Sequence, residues 1–228
     1  MFTIIPPSLF YQYSSTLLSL MAAAKTMFMH LLDGGASMSG GIASAKDSLS
    51  KFSILKSVIS SFTLQRMLAS KTVECGLLCA TGDDELKECV ELRKPSSGTL
   101  KLIQDIEQEG GDVANLLGGL NESHEILMET NNGKKFNRVM ILYTDGETPL
   151  YSNEKDIQSI RRDFVDQGVI FYCMIMCDQT RDDLNPSVSE NILQFQEFAE
   201  SVGGSSTVVR DLQGGLKFLS SGPGLGTR

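Results

Sequence analysis

Phe28-Met-His-Leu-Leu-Asp-Gly-Gly-Ala-Ser-Met-Ser39 is the stretch that decides the fold, and Val139-Met-Ile-Leu-Tyr-Thr-Asp-Gly-Glu147 repeats its plan later in the chain. Each is an apolar run of strand length that ends abruptly in an aspartate. Open parallel sheets bind ligands outside the carboxyl ends of their strands, so Asp33 and Asp145 are predicted to meet at one edge. Two carboxylates and a serine hydroxyl there would be oxygen ligands of the kind that magnesium prefers.

Strand-length apolar runs alternate with helical periodicity along the rest of the chain. The predicted strands are 26–32, 72–80, 138–144, 169–176 and 206–209, with 88–92 as a short antiparallel edge strand. The predicted helices are 44–68, 99–108, one that opens at 110–112, 153–167, and one that begins at the capping-box spacing of Ser187 and Glu190. In the third helix, Val113, Leu116 and Leu120 are predicted to face inward. This alternation predicts an α/β fold: a doubly wound, mostly parallel sheet flanked by helices, with one antiparallel edge strand.

The predicted domain covers residues 25–212. Residues 1–24 are apolar and contain no Lys or Arg, so they are interpreted as an extension with a mis-called start, or alternatively as a poorly formed signal peptide. Residues 213–228 are interpreted as a flexible tail. No apolar run reaches the length of about 18 residues that a transmembrane helix requires.

The net charge and the cysteine spacing argue against some classes of function. The 228 residues carry a formal net charge of -8, which argues against a segment that grips nucleic-acid phosphates by itself. The five cysteines are interpreted as small buried hydrophobic residues of a reducing compartment. Their spacing, Cys75 to Cys79 and Cys173 to Cys177, differs from the CxxC pairs of zinc sites.

The turn after Asp33 resembles the metal-ion-dependent adhesion motif of von Willebrand factor A domains, Asp-x-Ser-x-Ser. Gly35 replaces the first serine, which leaves Asp33, Ser37 and Asp145 as a degenerate remnant. The distant threonine of that motif has no evident equivalent near 111–119, where Asp112 stands closest. No metal is therefore expected, although Mg²⁺ stays open; alternatively, the two aspartates cap helices and fix turns.

The sequence gives little support to an enzymatic function, and no catalytic or cofactor-binding residue is predicted. Gly35-Ala-Ser37-Met-Ser39 approaches a nucleophile elbow but lacks its closing glycine. His30 lies inside a strand and His124 inside a helix that precedes the Asp145 strand, so the order Ser, acid, His cannot be built. The phosphate-binding and dinucleotide-binding glycine motifs are also absent from the sequence.

Several blocks together resemble the N-terminal domain of the Ku80 subunit of Ku, the heterodimer that binds DNA ends. They are Asp33–Ser39 with glycine in place of serine, Leu77–Gly82, Gly111–Leu117 and Gly133–Phe136 before the Asp145 strand. Asp145-Gly-Glu147 departs from that pattern toward the general von Willebrand A one.

The resemblance implies a non-enzymatic domain of a nuclear protein that acts in DNA double-strand break repair by non-homologous end joining. The implied partners are a Ku70-like subunit and other repair proteins, with double-stranded DNA ends bound through regions absent from this chain and no membrane partner. The alternative is a general von Willebrand A module that binds a protein ligand through a metal ion.

Overall fold

The computed structural model describes residues 26–41, 49–69, 72–82, 86–108, 113–129, 136–177 and 184–221. Several predictions lie outside the described residues: the extension 1–24, the first turns of the helix predicted from residue 44, the helix opening at 110–112 with Asp112, and the block 133–135.

Six strands form a single sheet within the described part of the chain. They are β1 (Thr26–Asp33), β2 (Val73–Ala80), β3 (Leu86–Arg93), β4 (Asn137–Thr144), β5 (Val169–Met176) and β6 (Ser205–Val209). The order across the sheet is β3-β2-β1-β4-β5-β6, and all neighbours are parallel except β2 and β3. The predicted doubly wound sheet with one antiparallel edge strand is confirmed.

Helices cover both faces of the sheet. They are α1 (Lys51–Ala69), α2 (Ser97–Asp105), α3 (Leu116–Glu129), α4 (Glu154–Gln167), α5 (Pro186–Ser201) and α6 (Leu212–Ser221). A 3-10 turn, Ala36–Ser39, lies between β1 and α1. None of the described helices is both long and apolar enough to cross a lipid bilayer.

The central strand β1 separates two apolar layers, and all of its residues are buried. Met27, Met29 and Leu31 face one layer, which receives α3, α4 and α5. Phe28 and Leu32 face the other, which receives α1 and residues of α2 and α6. Successive strand side chains point to opposite faces, so a strand covered on both faces is apolar at nearly every position. This is why the strands were recognisable in the sequence.

The start of α5 differs from the predicted capping box. Asn185 is the N-cap: its side-chain oxygen accepts a hydrogen bond from the Ser187 backbone N–H at 3.2 Å. Pro186 follows in the first turn, where a proline costs no helical hydrogen bond. The helix therefore begins before Ser187, and the capping-box prediction was wrong.

The start of α3 also corrects a prediction. The helix begins at Leu116, and Val113 lies before it with 57% of its surface exposed. Ala114 pairs with Gly82 in an isolated β-bridge. Residue 113 therefore precedes the helix and does not share the buried face that Leu116 and Leu120 occupy.

Helix α6 corrects the prediction of a flexible tail from residue 213. The helix packs on α1, with Leu219 buried in the core. A methyl group added at Gly215 would lie only 2.9 Å from a methyl of Val58, so glycine permits a close approach of the two helices. Gly215 is thus a packing residue, and residues 222–228 lie outside the described part.

None of the described cysteines takes part in a disulfide. Cys75 and Cys79 belong to one apolar layer and Cys173 and Cys177 to the other, so the two members of each pair face the same side of the sheet. These four thiols are buried, which confirms their interpretation as small core residues.

Candidate functional site

The carboxyl ends of β1 and β4 bring together the two aspartates singled out in the sequence. The strands are parallel neighbours, with Leu32 level with Tyr143, so Asp33 and Asp145 emerge at the same edge of the sheet. Asp33 is 0% exposed and Asp145 is 2% exposed. We call this region the carboxyl edge; it comprises Asp33, Gly35, Ser37, Lys51, Thr144, Asp145, Glu147 and Thr148. The predicted meeting of the two aspartates is confirmed.

Asp33 is held by two donors from the chain. The Gly35 backbone N–H donates to Oδ1 at 2.9 Å, and the Thr144 hydroxyl donates to Oδ2 at 2.7 Å. Burial raises the pKa of the Asp33 carboxyl to about 6, against the opposing effect of these hydrogen bonds. The charge of Asp145 adds to the increase, and the charge of Lys51 opposes it.

Asp145 is engaged by a lysine from α1. The Lys51 ammonium donates to Asp145 Oδ2 at 2.9 Å and to Glu147 Oε1 at 3.4 Å. The remaining Asp145 oxygen accepts the Glu147 backbone N–H at 3.0 Å. Burial alone would lower the pKa of Lys51, but the hydrogen bond and charge of Asp145, with the charge of Glu147, raise it. Lys51 is therefore a cation at neutral pH.

The loop after β4 is fixed by both its backbone and α5. Gly146 has a φ of 82°, a left-handed conformation that glycine adopts without strain. Its N–H donates to the Thr144 hydroxyl at 3.1 Å. The Asn191 side-chain amide donates to the carbonyls of Gly146 and Glu147 at 3.0 and 3.1 Å. The loop that presents Asp145 is thus anchored from two sides.

The turn after β1 is anchored in the same way. The Gly34 N–H donates to the Ala80 carbonyl at 2.8 Å, and the Gln108 side-chain amide donates to the Gly35 carbonyl at 2.7 Å. Ser37 lies in the 3-10 turn and is half-buried. The remnant residue Ser37 therefore belongs to the turn that follows Asp33, as the motif places it.

The residues present do not fit the divalent metal that the adhesion motif holds. Gly35 offers no hydroxyl, and the donors described above occupy oxygens of both aspartates. A lysine ammonium 2.9 Å from Asp145 Oδ2 would repel a divalent cation at that carboxylate. Among the described residues, no group of three His, Cys, Asp or Glu side chains is arranged to hold a metal ion.

Neither histidine reaches the serine turn as a base. His30 lies in β1, where its Nδ1 is hydrogen-bonded to the Tyr143 hydroxyl at 2.8 Å. Burial and then the charge of Arg66 lower the pKa of His30 to about 3. His124 stacks on Phe164 on the face of the sheet that α4 covers. The geometry agrees with the argument from chain order against a serine hydrolase.

Sequence reasoning did not assign four residues to the carboxyl edge: Lys51, Thr144, Glu147 and Thr148. It also missed Gln108 and Asn191, which anchor the turn and the loop of the edge. Thr144 and Glu147 lie within two residues of Asp145 in the Thr-Asp-Gly-Glu segment, so their position at the edge could have been predicted from the sequence. Nothing in the sequence distinguishes Lys51 from Lys56, the other lysine of α1, because the partner of Lys51 lies 94 residues away.

Comparison with solved structures gives the fold a name. The SpRpn10 VWA domain superposes with a TM-score of 0.64 at 16% identity, covering 89% of this chain and 97% of that domain. The conserved hypothetical protein BatB from Bacteroides thetaiotaomicron has a TM-score of 0.62 at 14% identity, covering 86% and 95%. The von Willebrand factor type A protein from Catenulispora acidiphila has a TM-score of 0.62 at 13% identity, covering 87% and 42%.

The chain therefore has the fold of von Willebrand A domains. No protein-family model and no curated protein sequence matches it. Identities of 13–16% establish the fold alone.

Proposed function

We propose that the chain is a non-enzymatic protein-interaction module that meets its partner at the carboxyl edge. The supporting observation is the edge itself. In open α/β sheets this is where ligands bind. Here Lys51 contacts the carboxylates of Asp145 and Glu147, and no histidine base lies beside the serine turn. Binding of a protein surface needs no catalytic group.

The negative charge of the edge indicates which surface charge a partner should carry. Glu147 keeps 52% of its side chain exposed while it contacts Lys51, so a carboxylate is presented to solvent. The chain as a whole carries a net charge of -8. A partner with a neutral or basic surface is favoured over nucleic acid or an acidic peptide.

Charge reversal at the edge tests this proposal. A tagged chain bearing Glu147→Lys is compared with wild type for the proteins it retains in its native host, quantified by mass spectrometry. Asp166→Lys is the matched control, because Asp166 is exposed near the end of α4, at the opposite edge of the sheet. A partner retained by wild type and the control but lost by Glu147→Lys supports the proposal. Equal retention by all three proteins places the interaction elsewhere.

Within this class, we propose a Ku80-like subunit as the specific identity, acting in non-homologous end joining in the nucleus. The support is the sequence resemblance of Asp33–Ser39 and Leu77–Gly82, together with an acidic charge that suits a partner-facing domain. Co-purification of a Ku70-like subunit with the tagged chain is the expected result. A partner set without Ku70-like and repair proteins would instead favour the general von Willebrand A module, the alternative that agrees with the fold comparisons.

A further inference from the structure

The carboxyl edge contains a cation that belongs to the chain. Lys51 Nζ lies 2.9 Å from Asp145 Oδ2 and 3.4 Å from Glu147 Oε1, and only 13% of the lysine side chain is exposed. Its charge also acts on Asp33. The ammonium therefore faces the cluster of acidic groups that the adhesion motif would use to hold a metal.

The ammonium supplies the positive charge that such a metal would place beside the carboxylates. Two buried carboxylates side by side repel each other, and a positive charge between or beside them offsets that repulsion. Lys51 also links Asp145 to Glu147, so it orders the loop after β4. An ammonium differs from Mg²⁺ in one respect: it donates hydrogen bonds and has no coordination position for a ligand of the partner.

We propose that Lys51 is a built-in replacement for the divalent cation, and that the edge becomes a metal site once this lysine and Gly35 are changed. The inference concerns the cation chemistry of the edge and holds whether or not the partner proposed above is found.

The turn geometry makes the second change feasible. Gly35 has a φ of -57°, which any residue adopts. A Cβ built at Gly35 would lie 3.1 Å from Asp33 Oδ1 and 3.6 Å from Thr148 Oγ1. The first distance is tight, so the Asp33 side chain shifts slightly, but a serine hydroxyl then lies among Asp33, Thr148 and the turn. Gly35→Ser thus returns the oxygen ligand that the motif lacks.

Titration with Mn²⁺ alone tests the proposal. Calorimetry measures the heat of binding, and electron paramagnetic resonance measures the concentration of the free ion. The wild-type protein is expected to show no saturable uptake and no change in Tm at millimolar Mn²⁺. The double variant Gly35→Ser, Lys51→Ala is expected to take up one Mn²⁺ in the micromolar range. Its Tm should rise by several degrees in millimolar Mn²⁺, because a ligand that binds only the folded state stabilises it.

Three controls identify the site. Gly35→Ser with Lys56→Ala removes a nearby lysine of the same helix, one that donates to the carbonyls of Gln104 and Ile106. Gly35→Ser with Lys51→Arg keeps the positive charge. Neither is expected to bind Mn²⁺. Addition of Asp145→Asn to the double variant is expected to abolish uptake.

Saturable Mn²⁺ uptake by the wild-type protein that is lost in Asp145→Asn overturns the proposal, and this measurement needs no Lys51 variant to fold. A folded double variant without uptake also overturns it. If Lys51→Ala prevents folding, Lys51→Met is used instead, since it keeps the aliphatic stem of the lysine and removes only the charge.

Discussion

The hydroxyl of Thr144 donates a 2.7 Å hydrogen bond to Asp33, which lies 111 residues earlier in the chain. The bond ties the ends of β1 and β4 together beneath the turn and the loop that form the carboxyl edge. Thr144 also accepts the Gly146 N–H, so one hydroxyl serves both the strand pair and the loop.

Replacement of Thr144 by valine should destabilise the fold. Valine has a similar volume but cannot donate to Asp33 or accept from Gly146, so two buried polar groups lose their partner. We expect the free energy of unfolding to fall by about 1–3 kcal/mol in urea titrations. Thr144→Ser keeps the hydroxyl and should lose much less; equal losses in the two variants would show that packing, rather than hydrogen bonding, is responsible.

The raised pKa of Asp33 predicts a pH dependence of stability. The carboxyl has its ordinary pKa of 3.8 when unfolded and a pKa of about 6 when folded, so the folded state holds the proton more tightly in this window. Stability from this group therefore decreases as the pH rises from about 4 to 6, by about 3 kcal/mol in total at 1.36 kcal/mol per pKa unit. Above pH 6 its contribution is constant.

Asp33→Asn isolates that effect. The difference in unfolding free energy between the variant and wild type, measured in urea at several pH values, should change in favour of the variant as the pH rises through the window. Other carboxylates titrate in both proteins and cancel in the difference. A difference that stays constant between pH 4 and 6 would show that Asp33 keeps an ordinary pKa.

His30 should show the opposite dependence. Its pKa is lowered from 6.5 to about 3 by burial and then by Arg66, so the unfolded state binds the proton more tightly. Stability from His30 is present above about pH 6.5 and is lost as the pH falls toward 3. Nuclear magnetic resonance should find that the imidazole of His30 remains neutral at pH 5. Substitution of its hydrogen-bond partner, Tyr143→Phe, should lower the free energy of unfolding by about 1 kcal/mol. A His30 imidazole already protonated at pH 5 would contradict this account.

Two glycines with positive φ separate backbone strain from crowding. Gly146 and Gly168 have φ values of 82° and 65°. A Cβ at Gly146 would lie 3.2 Å from a methyl of Ile175, whereas a Cβ at Gly168 would meet nothing within 4 Å. Gly168→Ala should cost about 1 kcal/mol for its left-handed conformation. Gly146→Ala should cost more, because crowding adds to the same strain; urea titration of the two variants measures the difference.

The sequence was informative where burial dictates residue type. Strands covered on both faces are apolar throughout, and parallel neighbours end at one edge, so the meeting of Asp33 and Asp145 followed from the pattern. Helix α6 could not be recognised, because Gly214 and Gly215 oppose helix formation and the close contact that explains Gly215 is with Val58, far away in the sequence. Lys51 could not be assigned because its role depends on which side chain of α1 reaches the loop after β4, and helical periodicity does not specify that.

The carboxyl edge is assembled from parts that are remote along the chain, with Lys51 and Asp145 separated by 94 residues and Asp33 and Thr144 by 111. The entropy cost of closing such long loops must be met before the contacts between their ends can stabilise the chain. We therefore expect these bonds to form late in folding. A proteolytic fragment that ends before β4 lacks Thr144, Asp145, Glu147 and Thr148, so it lacks the half of this surface that Asp33 and Lys51 meet. Recognition by a partner at this surface would consequently report that β1 and β4 have paired and that α1 has docked beside them.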